Sequence, residues 1–171
     1  MKKYLLRTFI LLISFFSFHA LLADKVEPPK DAVAFRGSHY KAFLDTNSTW
    51  WEAKFACDDL GGELVVIGNP KENEFVRRMA EDNLIWLGGT DEFEEGVWTW
   101  DNGDDFEYKN WSKDQPSNTS GHNFLVLDGK TGTWADTTDF SGKVKGYVCE
   151  WKDSAPKNAG PKDGELKAPK K

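Results

Sequence analysis

The chain has 171 residues, a formal net charge of −6 and a hydrophobic content of 39%. These values suit a single globular domain with additional sequence at its ends. The acidic balance makes duplex nucleic acid and anionic membrane surfaces poor partners, because both repel negative charge. Twelve Phe and eight Trp predict a core rich in aromatic side chains.

Residues 1–23 have the composition of a secretory signal peptide. Lys2, Lys3 and Arg7 supply its positive start, residues 5–22 are almost wholly apolar, and Ala23 is small enough to precede a cleavage site. An uncleaved signal anchor is the alternative, because the apolar run approaches the roughly 20 residues that span a bilayer. We expect cleavage, and therefore a secreted, periplasmic or extracellular protein that is not inserted in a membrane.

Two further segments are expected to lie outside the folded domain. Residues 24–34 contain two prolines and alternating charges, which are typical of a linker. Residues 153–171 are mostly Lys, Pro, Gly and Ala, and Leu166 is their only large apolar residue. Such a tail cannot bury enough apolar surface to offset its ordering entropy, so we expect disorder. The predicted domain comprises residues 35–152, which is long enough to bury a core.

The first part of the domain predicts a strand followed by a helix. Residues 39–43 alternate between polar and apolar side chains, as a strand does. Thr49 with Glu52 three residues later predicts a capping box at the start of the helix, and Gly61 and Gly62 predict its end. Apolar residues at helical spacing predict its buried face: Trp51, Phe55, Ala56 and Leu60.

The rest of the domain predicts a second helix and a series of strands around a long loop. Asn69 and Pro70 suit the cap and first turn of the helix. Its predicted inner stripe is Phe75, Val76, Met79 and Ala80. Residues 91–120 lack periodicity, and loops of this length in compact domains are usually functional. Strands are predicted at residues 63–67, 84–89, 123–127, 132–136 and 146–151, which gives an α+β domain whose first and last strands pair.

Short motifs in a fixed order lie along residues 35–151. They comprise the first helix with its exit, a Trp-Leu-Gly-Gly strand, two aromatic segments, a proline motif, a tryptophan motif and a closing strand. Their residues are Trp51, Ala53, Cys57, 61–64, 86–89, 96–100, 108–111, 115–117, 134–136 and 147–150. This series resembles the C-type lectin-like domain. The resemblance implies a C-type lectin-like fold with two helices, antiparallel sheets and a long irregular loop region.

The chain has two cysteines, Cys57 and Cys149. An even number in an exported chain predicts a disulfide, with two free thiols as the alternative. Many proteins of the family that the chain resembles have a second disulfide in the long-loop region. Its two positions are Phe124 and Asp139 here, so both halves are absent together. We therefore expect a one-disulfide variant whose closing region packs by aromatic burial.

The resemblance also implies a sugar site in the long loop, where a calcium ion contacts two hydroxyls of the sugar. The positions that would hold the ion become Gln115, Ser117, His122 or Asn123, Ala135 and Asp136. Calcium takes about 6 to 8 oxygens, several of them carboxylates. His122 would offer nitrogen and Ala135 no side-chain ligand, so Asp136 is the only inherited carboxylate.

Asn118 and Asn123 are the residues that could restore the ligand set. Asn118 replaces Ser117 if the loop is one residue longer, and Asn123 replaces His122. The predicted ligand-binding residues are therefore Gln115, Ser117, Asn118, Asn123 and Asp136. The predicted calcium ligands, if a calcium ion binds, are Gln115, Asn118, Asn123 and Asp136. The resemblance further implies a cis bond before Pro116.

The predicted function is a secreted carbohydrate-binding module, calcium-assisted through this degraded site. The alternative is a calcium-independent module of the same fold that binds a protein or polymer partner. An enzyme is not expected, because residues 24–171 contain no nucleophile elbow, zinc motif or phosphate loop. The expected partner is a glycan or glycoprotein, and not nucleic acid. Four tryptophans are expected in the core, with stacking on sugar rings as the alternative: Trp98, Trp100, Trp111 and Trp134.

Overall fold

The structure is a computed structural model that describes residues 26–153. The predicted signal peptide and residues 154–171 of the predicted tail lie outside the described residues. Within residues 26–153 no helix combines the length and the hydropathy needed to cross a bilayer. The elements are β1 Val33–Phe35, β2 Ser38–Leu44, α1 Trp50–Asp59, β3 Glu63–Leu64, α2 Pro70–Ala80, β4 Leu84–Thr90, β5 Thr99–Trp100, β6 Phe124–Asp128, β7 Trp134–Thr137 and β8 Val144–Lys152.

The strands form one mixed sheet, and the fold class is α+β as predicted. The strand order is β1-β2-β8-β4-β6-β7, with β3 on β8 and β5 on β4. The predicted pairing of the first and last long strands is confirmed, because β2 and β8 run antiparallel from Ser38 opposite Lys152 to Leu44 opposite Gly146. The other strand pairs are antiparallel as expected, and the pair formed by β4 and β8 is parallel.

The sheet begins earlier than expected, because β1 starts at Val33, inside residues 24–34. Arg36 and Gly37 connect β1 to β2 with φ values of 51° and 92°. Two-residue hairpin turns need positive φ, and the usual sequence signal is Asn-Gly or Asp-Gly. Arg at the first turn position hides this hairpin from sequence analysis.

The two ends of the described chain lie together. Val26 and Pro28 line one surface cleft with Trp151 and Asp153. The first and last described residues of the chain are therefore on the same part of the domain surface.

Helix α1 begins as predicted but buries a different face. Thr49 and Glu52 form the capping box. The buried residues are Trp50, Ala53 and Cys57. Of the predicted face, Trp51 and Ala56 are partly buried against the core, whereas the prediction was wrong for Phe55 and Leu60, which are 55% and 38% exposed. Two covalent or polar anchors fix the orientation. Trp50 Nε1 donates to Leu87 O at 2.8 Å, and Cys57 forms the disulfide with Cys149 on β8.

The positions of the missing second disulfide have other roles. The Phe124 ring lies 5.0 Å from the Trp50 ring, which confirms aromatic packing in the closing region. Asp139 Oδ1 accepts a hydrogen bond from Trp50 N at 2.9 Å. Asp139 thus satisfies a free N–H at the start of α1, where a negative charge is also favoured by the helix dipole.

Helix α2 confirms its predicted cap and inner stripe, and it carries a buried Asn that the sequence analysis did not single out. Asn69 accepts hydrogen bonds from Lys71 N and Glu72 N. Asn73 is 6% exposed. Its Nδ2 donates to Gly132 O at 2.9 Å, and its Oδ1 accepts from Trp134 Nε1 at 2.7 Å. One amide therefore joins α2 to β7 and to the turn before it.

We predict that Asn73→Ala lowers the free energy of unfolding by about 3 kcal/mol. The variant leaves the buried Trp134 N–H without its acceptor and Gly132 O with one donor fewer, and each unsatisfied group costs roughly 1–3 kcal/mol. Urea denaturation measures the loss. The matched control is Asn83→Ala, because Asn83 makes a single side-chain bond, to Ala80 O, and should lose about 1 kcal/mol or less. Equal losses of unfolding free energy in the two variants would contradict the proposed role of Asn73 in joining α2 to β7.

Glu150 on β8 is a buried carboxylate, with 2% of its surface exposed. The Tyr40 hydroxyl lies 3.1 Å from its Oε1 and 2.8 Å from Glu72 Oε1, and the single hydroxyl proton serves one of them at a time. Burial raises the pKa of Glu150 to about 7; Ser38 partly offsets the rise and the Glu72 charge adds to it. Glu150 therefore holds a proton well above the pH at which an exposed Glu loses it.

We predict that Glu150→Gln removes a pH dependence from the stability. The native chain keeps the Glu150 proton between about pH 4.5 and 7, whereas the unfolded chain releases it, so stability falls as pH rises through this window. The advantage of the Gln variant should grow across the window to about 3 kcal/mol and then stay constant. Urea denaturation at several pH values measures it, with the exposed Glu92→Gln as control. A difference that does not vary with pH would contradict the prediction.

Candidate functional site

The long loop is held to the core by aromatic side chains. The Trp100 ring lies 4.7 Å from Phe106 and 5.7 Å from Trp134, and the Trp98 ring lies 5.0 Å from Trp111. Trp100 and Trp134 are buried, and Trp98 and Trp111 are partly buried against the same cluster. The expectation that these four tryptophans belong to the core is confirmed.

Backbone bonds to Trp134 fix the middle of the loop. Trp134 N donates to Asn110 O, and Ser112 N donates to Trp134 O, both at 2.8 Å. Asn110 Nδ2 also donates to Gly132 O at 2.7 Å. The segment that leads to the proline motif is therefore tied to β7, which carries Asp136.

The structure brings four predicted site residues together: Gln115, Ser117, Asn118 and Asp136. The bond between Gln115 and Pro116 is cis, as the resemblance implied. Asp136 Oδ2 accepts from Ser117 N and Ser117 Oγ, both at 2.9 Å, and from Asn118 N at 3.2 Å. Asp136 N donates to Gln115 Oε1 at 3.1 Å. The proline motif and Asp136 are thus bonded directly to each other.

The remaining residues considered for the site lie around this centre. His122 Nδ1 lies 3.4 Å from Ser117 Oγ. Ala135 is packed against the buried cluster that includes Trp50, Trp86 and Phe124. Asn123 stands at the start of β6, where its backbone oxygen accepts from Thr90 Oγ1 at 2.8 Å and from Asp91 N at 3.2 Å. The hydrogen bonds of Asn123 therefore go to the end of β4 and not to the proline motif.

Asp91 lies within reach of the Asp136 charge, whereas the sequence indicated only that it begins the loop. It is 2% exposed, and its Oδ2 accepts from Gly96 N at 2.8 Å. Burial raises the pKa of Asp91; the Gly96 N–H opposes the rise and the Asp136 charge adds to it. An acid directly after an apolar central strand was the signal that could have indicated it.

Three buried oxygens near this centre lack a hydrogen-bond partner among residues 26–153. They are Asp91 Oδ1, Asn123 Oδ1 and Asp136 Oδ1. A calcium ion takes about 6 to 8 oxygens, so these three alone would not complete its coordination.

The inherited ligand positions do not fit a calcium ion as they are folded. Gln115 Oε1 and Asp136 Oδ2 already accept protein N–H or O–H groups, and the Ser117 hydroxyl is turned to Asp136 and Thr119. No group of three His, Cys, Asp or Glu residues within residues 26–153 is arranged to hold a metal ion. Hydrogen bonds thus occupy Gln115 Oε1 and Asp136 Oδ2. The buried Asn123 Oδ1 and Asp136 Oδ1 have no partner among residues 26–153, but two oxygens are too few for a calcium ion.

The comparison with known families agrees with this architecture. The Lectin C-type domain family matches residues 46–151, which is more than half of the chain. The chain therefore belongs to the C-type lectin family, whose members are binding proteins and not enzymes.

Individual relatives resemble this chain over its domain. Nattectin, a galactose-specific lectin from Thalassophryne nattereri, is 36% identical over 85 residues, which are 47% of this chain and 54% of that protein. The chain thus spans about half the length of this relative. The structure of the cow CD23 carbohydrate-recognition domain, with GlcNAc2Man3 oligosaccharide present, has a TM-score of 0.69 and 28% identity, covering 75% of this chain and 98% of that one. A calcium-independent type II antifreeze protein has a TM-score of 0.67 at 19% identity, covering 72% and 93%, and shares the fold.

We predict that Asp136→Ala releases the proline-motif loop. The variant removes the acceptor of three hydrogen bonds, and bonds to a charged group each contribute about 1.5–3 kcal/mol. Amide hydrogen exchange at Ser117 and Asn118 should become roughly tenfold faster or more. Asp136→Asn keeps an oxygen acceptor at this place and should show a smaller effect. Unchanged exchange in Asp136→Ala would show that the loop is held by other contacts.

Proposed function

We propose that this chain is an exported carbohydrate-binding module that takes its ligand on the long loop without a calcium ion. The observation that carries the proposal is the bonding of Gln115 and Asp136 to the loop itself. Their hydrogen bonds fix the conformation of the proline motif. A proline motif that donates to Asp136 Oδ2 and accepts from Asp136 N is held in place by the chain itself, so it has no need of an ion to be ordered.

The exposed surface beside these hydrogen bonds has the chemistry that a sugar requires. Ser117 and Asn118 are exposed, and hydroxyl and amide groups both donate to and accept from sugar hydroxyls. Asn118 also adjoins the turn after β4, because a Cβ at Gly96 would lie 3.9 Å from its Oδ1. Phe93 on that turn is 89% exposed and supplies an aromatic face for the apolar side of a sugar ring. Ligand contact is thus assigned to the exposed Ser117, Asn118 and Phe93.

A protein or polymer partner is the second candidate. Phe93 and Val97 are exposed on the same turn, at 89% and 49%, and neighbouring exposed apolar side chains are typical of protein-binding surfaces. The same loop would then present a mixed apolar and amide surface.

Export is supported by the predicted signal peptide and by the disulfide, since disulfides persist in oxidising compartments. Cleavage after Ala23 would give a mature chain that begins with Asp24. The mass of the intact exported protein measures this directly.

We predict that the protein, displayed multivalently on a glycan array, binds sugars equally well with and without a chelator. Multivalent display compensates for the weak single-site affinity expected of direct hydroxyl recognition. Asn118→Ala should lower the signal roughly tenfold. The control is Asn47→Ala, which removes another exposed amide, outside this loop.

Two results would overturn the calcium-free proposal. One is loss of glycan binding on chelation. The other is a rise of the thermal midpoint with added calcium, because a bound ion stabilises the folded chain by mass action. Binding to a protein partner that needs Phe93, with no glycan bound, would favour the second candidate.

A further inference from the structure

A separate pocket of about 370 Å³ lies away from the proline motif. The start of β2, the chain around the beginning of α2, the first part of the long loop and the end of β8 form its walls. None of the predicted site residues Gln115, Ser117, Asn118, Asn123 or Asp136 lines it. The pocket is therefore a second concave surface with its own chemistry.

Its lining is strongly acidic: Glu72, Asp104, Asp105, Glu150 and Asp153. Lys152 is the one Lys or Arg in the wall, and its Nζ already lies 2.6 Å from Asp104 Oδ2 and 2.8 Å from Glu63 Oε1. Among residues 26–153, Glu72, Asp105 and Glu150 form no salt bridge with Lys or Arg. The pocket thus has an excess of negative charge that the described chain does not neutralise.

Glu150 is the observation that points to a ligand. It is 98% buried, since 2% of its surface is exposed, and it lines the pocket. Its Oε1 contacts the Tyr40 hydroxyl, whereas its Oε2 has no hydrogen-bond partner within residues 26–153. A buried carboxylate oxygen without a partner is costly, so a donor from a ligand would be stabilising here.

The walls favour an organic cation over a metal ion. No three acidic or metal-binding side chains within residues 26–153 converge closely enough to hold a metal. Val66 and Trp100 line the same pocket as the acids, and they offer an apolar surface for an organic stem. An ammonium group brings three N–H donors and is attracted to an aromatic face.

We propose that this pocket binds an organic primary ammonium ion, with Glu150 as its buried counter-ion and with Val66 and Trp100 against its stem. Glu72 and Asp105 add negative charge around the ammonium. The ligand class comprises alkylammonium groups, such as a lysine side chain, and amino sugars, which share this chemistry. The pocket and the long-loop site are independent, so either can be lost without the other.

Binding is expected to weaken in acid. Burial raises the pKa of Glu150 to about 7, so below this pH the counter-ion is neutral, whereas an alkylammonium stays charged. The groups that face Glu150 are Tyr40 and Ser38 from β2, Glu72 from α2, Glu63 from β3 and Lys152 on β8 itself.

The test is an NMR titration of the whole mature chain with n-butylammonium chloride and, separately, with glucosamine hydrochloride, at constant ionic strength. We expect chemical-shift changes at Glu150, Lys152 and the Trp100 indole N–H. The ligand that binds more tightly shows whether the pocket prefers an alkylammonium group or an amino sugar. The neutral analogues 1-butanol and glucose should not shift these signals. The affinity for n-butylammonium, which stays charged throughout, should be several-fold lower at about pH 5.5 than at about pH 8.

Three variants distinguish specific binding in the pocket from nonspecific attraction of a cation to an acidic protein. Glu150→Gln has the same shape and should weaken binding roughly tenfold or more. Asp105→Asn at the exposed rim should weaken it about twofold, which keeps the test valid if the buried variant folds poorly. Asp59→Asn, on the exposed surface of α1, should have no effect. Equal binding by Glu150→Gln, equal binding of the neutral analogues, or tighter binding of calcium chloride at the same residues would overturn the proposal.

Discussion

The long loop depends on the contacts of one residue, Trp134. Its ring is covered by Trp100, Phe106, Tyr108 and Trp111, its indole N–H is bonded to Asn73, and its backbone is bonded to Asn110 and Ser112. A segment with little regular secondary structure needs such a set of partners, because its own backbone groups are otherwise unsatisfied. Since Asp136 follows two residues later on β7, the same anchor places the carboxylate that braces the proline motif.

The proline motif illustrates how hydrogen bonds can occupy the place of an ion. A calcium site gathers oxygens that would repel one another without the metal. Here Ala135 and His122 remove oxygens from the inherited set, and the oxygens of Gln115 and Asp136 accept donors from the chain. Asp91 and Asp136 remain as two carboxylates within reach of each other's charge, and burial together with the Asp136 charge raises the pKa of Asp91.

Sequence reasoning predicted the parts of this fold that depend on local rules. The capping box at Thr49, the cap at Asn69 and the positions of the longer strands all follow from neighbouring residues. It was wrong where tertiary contacts decide: apolar spacing favoured burying Phe55, but the disulfide at Cys57 and the Trp50 indole bond turn α1 the other way. At the site, the residues of the proline motif were found through the resemblance. Asp91 was not, because its importance comes from Asp136, which is distant in sequence.

The placement of the two ends has a consequence for how the domain can be joined to other polypeptide. Val26 and Pro28 share a cleft with Trp151 and Asp153, so a host chain would enter and leave through one opening. Inserting a folded unit whose ends are already adjacent costs little loop-closure entropy and disturbs the host little. The described domain therefore has the geometry that allows it to be inserted into another polypeptide at one point.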